Sequence, residues 1–69
     1  MSLSRVIKGL EKQVENLQEV IDQREIYVEE RSEKWQESEK CDEYIDRTQE
    51  IEESKDELEN LIEQIKELQ

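Results

Sequence analysis

Proline, histidine and phenylalanine are missing from this 69-residue chain, and glycine, cysteine and tryptophan occur once each. Without proline, nothing in the sequence forces a helix to stop. Without histidine the commonest general base is gone, and a Glu-x-x-His metal pair cannot form. One cysteine excludes an internal disulfide and, with no histidine beside it, a typical zinc site. No D-x-D-x-D-G calcium loop or glycine-rich phosphate loop is present. The expectation is therefore no catalytic residues, no cofactor-binding residues, no metal, and no enzyme.

Long apolar runs are also lacking, so no membrane-spanning segment is expected. The opening residues do not read as a signal peptide, and a lone thiol suits a reducing compartment, so the expected location is cytoplasmic. Bases are scarce: 10 against 21 acids, a net charge of −11. Phosphates would be repelled, so neither direct nucleic-acid binding nor an anionic membrane surface is expected.

What is present favours helix. Leucine, isoleucine and valine contribute 17 residues, enough to build a folded stripe, and the glutamate-rich remainder has high helix propensity. A chain this short seldom stabilises itself with one core, and oligomerisation is the remaining reinforcement.

Spacing carries the next inference. Leu3, Ile7, Leu10, Val14, Leu17 and Ile21 alternate steps of four and three, and Val28 and Trp35 continue the seven-residue series. Arg24 and Arg31 occupy positions where this stripe would otherwise be apolar. A second series, Tyr44, Ile51, Leu58 and Ile65, also repeats every seven residues. Such a repeat keeps one side of a helix turned toward a partner helix. Between Trp35 and Tyr44 the step is nine, and an uninterrupted stripe would need an apolar residue where Asp42 stands. The phase break predicts that the chain folds back.

The predicted fold is all-α: a single antiparallel two-helix hairpin over residues 1–69, with helix 1 over about 3–37, a turn over about 38–41 and helix 2 over about 42–69. Residues facing each other in such a hairpin have a constant sum of residue numbers. A sum of 79 pairs Trp35 with Tyr44, Val28 with Ile51, Ile21 with Leu58, Val14 with Ile65 and Leu17 with Ile62. These ten residues form the predicted core. A rival sum of 82 pairs Ile21 with Leu61, Leu17 with Ile65 and Val14 with Leu68. The preferred register sets Arg24 against Lys55, an unfavourable layer. Lys40 suits a helix C-terminus and Asp42 a helix N-terminus, while Cys41 stands where a left-handed cap would be expected.

The segment "ERSEKWQESEKCDEY" resembles the turn segment of short uncharacterised helical-hairpin proteins of phages and bacteria, in which a glycine commonly follows Ser-Glu-Lys. Cys41 departs from that pattern. The resemblance covers about fifteen residues and implies a hairpin fold and a phage-like setting, with no activity attached.

Several apolar residues fall outside the predicted core: Leu3, Val6, Ile7, Val20, Tyr27, Leu61 and Leu68. With a sum of 79, Gln69 pairs with Leu10, and Leu3, Val6 and Ile7 extend beyond the partner arm. This surplus predicts an oligomer surface near the open end, with two hairpins pairing into a four-helix bundle as a homodimer. Gly9, on an exposed position, would permit close approach or simply weaken the helix.

Charge is unevenly divided. Residues 1–35 carry 8 acids and 6 bases, whereas residues 36–69 carry 13 acids and 4 bases. Most of such an acidic arm is a solvated helix face. Glu52, Glu53, Asp56 and Glu57 form the candidate acidic face for a basic protein partner. The expected function is a non-enzymatic, self-associating interaction module. Its alternatives are an acidic inhibitor mimicking nucleic acid and a parallel coiled-coil spacer.

Overall fold

A computed structural model describes residues 2–69. Three helices follow in order: α1 (Leu3–Glu29), the single turn α2 (Glu33–Gln36) and α3 (Glu39–Lys66). The two long helices pack against each other and run in opposite directions. Ser4 near one end of the chain donates to Gln69 near the other at 2.9 Å. The described residues extend over 52 Å by 15 Å by 13 Å.

Helix 1 stops at Glu29, eight residues before the predicted end at 37. The connection spans residues 30–38, in place of the predicted 38–41, and α3 begins at Glu39 in place of 42. Serines make these boundaries. Ser32 accepts from Trp35 N at 3.2 Å, and Ser38 accepts from Cys41 N at 3.4 Å, so each serine caps the helix that follows it. A serine cap satisfies one of the amide donors that a helix N-terminus leaves free. At the other side of the turn, the Gln36 amide donates to Val28 O at 2.9 Å and to Arg31 O at 3.1 Å. It adds a second donor to the Val28 carbonyl, which already accepts from Arg31 N at 3.1 Å, and satisfies the Arg31 carbonyl just past α1.

Cys41 is therefore not a left-handed cap, and Lys40 does not close a helix. Both lie in the first turn of α3, and no described non-glycine residue has a positive φ. Cys41 is buried.

The register differs from both predicted sums. Arg24 meets Thr48, a sum of 72, and Gln18 meets Lys55, a sum of 73. A sum of 72 sets Ile7 beside Ile65, Leu10 beside Ile62, Val14 beside Leu58 and Leu17 beside Lys55. It continues with Ile21 beside Ile51, Arg24 beside Thr48, Val28 beside Tyr44 and Arg31 beside Cys41. All sixteen of these residues are buried or half-buried, and most of their near neighbours on the outer sides are exposed, Gln18 being half-buried. The sum of 79 would put two cations, Arg24 and Lys55, in one layer. The observed register gives each a polar mate, because Lys55 donates to Gln18 Oε1 at 2.7 Å and lies 3.7 Å from Glu59.

The arms end level as a result. Ile7 is 5% exposed and belongs to the core, which corrects its assignment to the oligomer surface. The register, not its hydrophobicity alone, brings it inside.

Candidate interaction face

The turn end of the helix pair holds a column of stacked rings and cations. The Arg24 guanidinium lies 3.9 Å from the Tyr44 ring centroid, Tyr44 stacks on Tyr27 at 5.0 Å, and the Arg31 guanidinium lies 4.1 Å from Tyr27. Trp35 meets both tyrosines edge-on, at 5.8 and 5.9 Å. Ring faces attract cations and ring edges carry positive charge, so each contact in the column is favourable. This is how the stripe tolerates two arginines. Arg24 also donates to Thr48 Oγ1 and to Tyr44 O. Arg31 Nε, out of solvent, has no hydrogen-bond partner among the described residues.

Outside the seam the molecule has two unlike sides. One is acidic. Glu11 and Lys66 form a cross-helix ion pair there at 3.4 Å, and Glu63 lies 3.5 Å from the same ammonium. The nearby carboxylates, Glu11 first and then Glu63, raise the pKa of Lys66 above the ordinary lysine value. Two open grooves run along this side. Glu11, Glu15, Glu59 and Glu63 line the first, and Glu25, Glu29 and Glu52 the second.

The opposite side is free of acids along its innermost rows. Residues seven apart on a packed helix share a side. On α1 that row is Val6, Gln13, Val20 and Tyr27; on α3 it is Lys40, Arg47, Ser54 and Leu61, with Leu68 just past the helix end. A groove lined by Leu17, Arg24, Arg47, Glu50, Ile51 and Ser54 lies between the two rows. The next row outward on α1 is Gly9, Asn16 and Gln23, uncharged until Glu30 just past the helix end. A β-carbon on Gly9 would meet nothing within 4 Å.

Leu3, Val6, Val20, Tyr27, Leu61 and Leu68 are all exposed, Leu68 at 74%. The level arms set Leu3, Val6, Leu61 and Leu68 toward the open end, and Val20 and Tyr27 continue the same side along α1, level with Ser54 and Arg47 of α3. The ten predicted core residues are each buried or half-buried. Thr48, Cys41, Leu10, Arg24 and Lys55 join them, and the seven-residue spacing from Cys41 to Ile62 was a signal for this second row. Glu52, Glu53, Asp56 and Glu57 are exposed and spread around the outer arc of α3, away from the seam. Ile26 and Ile45 are exposed too, but lie off the apolar strip.

No protein-family model matches the chain, and neither a curated protein nor a solved structure matches it. Among the described residues, no helix is long and apolar enough to cross a membrane. No group of three or more histidine, cysteine, aspartate or glutamate side chains among them is placed to hold a metal ion.

Proposed function

We propose that this protein is a non-enzymatic interaction module that self-associates through its acid-free strip, two helix hairpins forming a four-helix bundle. One observation carries the reading. In a chain with 21 acids, the two rows flanking one side of the seam contain none, and five exposed apolar residues stand in them. Each apolar side chain left in water forgoes up to about 1.5–3 kcal/mol of burial. A second copy offers the same acid-free strip and would bury it with carboxylates only along its border, where Glu50 also lines the groove. The phage and bacterial setting rests on the likeness of the turn segment alone. The acidic side, with its glutamate-lined grooves, would remain outward in such a bundle and suits a basic protein partner.

Light scattering across a concentration series tests the reading. Dimer is expected, with a melting temperature that rises with concentration. Val20→Glu and Leu61→Glu should give folded monomer or loss of cooperative melting, whereas Ile45→Glu, off the strip, should leave the dimer intact. A wild-type protein that stays monomeric at high micromolar concentration overturns the proposal.

A further inference from the structure

We propose that the two copies pair with their turns at the same end, so that α1 of each lies against α3 of its partner. The inference rests on the self-association proposed above and concerns its geometry. Two symmetric ways exist to lay one strip on another. A two-fold axis along the long dimension puts the turns together and sets α1 against the partner's α3. A two-fold axis across it puts the turns at opposite ends, setting α1 against α1 and α3 against α3.

Charge separates the two. Helix α1 carries 6 acids and 4 bases, net −2, whereas α3 carries 11 acids and 4 bases, net −7. Turns at opposite ends would bring the two −7 helices into direct contact. Rows bordering the strip sharpen the point. On α3 the border row is Glu43, Glu50, Glu57 and Gln64, while on α1 it is Gly9, Asn16 and Gln23, with Glu30 just past the helix end. With turns together, the layer order inside one chain also holds between chains. Gln23 then lies level with the partner's Glu50, Asn16 with the partner's Glu57, and Gly9 with the partner's Gln64. Glu50 and Glu57 each meet a neutral amide in place of another carboxylate, and only Glu43, level with the partner's Glu30 beside the turn, meets an acid.

In the same arrangement Val6 comes level with the partner's Leu68, Gln13 with the partner's Leu61, Val20 with the partner's Ser54, and Tyr27 with the partner's Arg47, whose cation suits a ring face. The like-charged Lys40 and Arg47 of the two copies sit on diagonal helices, not adjacent ones. A footprint set by Cα extents of 52 Å and 15 Å comes to about 800 Å², what each partner buries in a standard interface.

The test is a distance between turns. Glu37→Cys in a Cys41→Ala background, spin-labelled, should give an interchain separation below about 30 Å, two helix spacings plus label reach. A dimer with a separation near the 52 Å long axis would overturn the orientation and leave self-association standing. Monomer would overturn both. Asn16→Lys, which leaves Cys41 alone, gives an independent reading. Two new lysine–glutamate contacts per dimer should lower the dissociation constant by about fivefold at low salt. With turns opposed, the same change would set lysine against lysine and raise it.

Discussion

Arg24 donates a 2.8 Å hydrogen bond from Nε to Thr48 Oγ1, twenty-four residues along the chain. This cross-helix bond selects the register. Thr48→Val would leave the half-buried guanidinium nitrogen without that acceptor, a loss of about 1–3 kcal/mol. The double variant Arg24→Leu/Thr48→Val removes donor and acceptor together and should recover part of that stability in urea melts, the rest being the Arg24 contacts with Tyr44. Equal destabilisation by single and double variants would show that the bond carries no weight in the register.

The serine caps should be separable. Ser38→Ala removes the cap of a helix of 28 residues and should cost about 1 kcal/mol in thermal unfolding. Ser32→Ala caps only the four-residue α2 and should cost less. The reverse order would mean that the short turn, through Trp35 and Gln36, organises the connection.

Salt and pH should act mainly through repulsion. With a net charge of −11, acidification from pH 7 toward pH 5, or added salt, should raise the melting temperature. The Lys66 ion pair works the other way at high pH. Its pKa is raised in the fold by Glu11 and Glu63, so its contribution is complete below the ordinary lysine value of 10.5. That contribution is lost only as the pH climbs through the raised value. Circular dichroism melts from pH 5 to 11 should therefore show a fall at the alkaline end that is smaller in Lys66→Gln, where only the repulsion added as the other lysines discharge remains. A falling melting temperature between pH 7 and pH 5 would contradict the dominance of repulsion.

Cys41 should be protected. At 3% exposure, its thiol should react with a disulfide reagent at a rate set by opening of α3, rising steeply with urea. Immediate stoichiometric reaction in native buffer would place the residue outside the seam.

Much of the fold was legible in the sequence by itself. Seven-residue spacing from Ile7 to Val28 and from Tyr44 to Ile65 determined two helices with one buried stripe each, and Asp42 broke the phase between them. The acid-poor row of Val6, Val20, Tyr27, Leu61 and Leu68 was legible by the same spacing. Register was not, for a physical reason. Sums of 79 and 72 differ by one seven-residue repeat, and sliding a repeat by its own length brings apolar residues onto apolar residues again. Along most of the stripe both registers bury the same residue types, and the sum of 72 gains only the Ile7 and Leu10 layers at the open end. Only the tertiary structure decided between them, through groups that do not repeat: Arg24 needs Thr48 and a tyrosine face, Lys55 needs Gln18, and Gln36 must reach the end of α1. Those few directional contacts shortened α1, moved Ile7 inside, and laid the exposed apolar residues along one side.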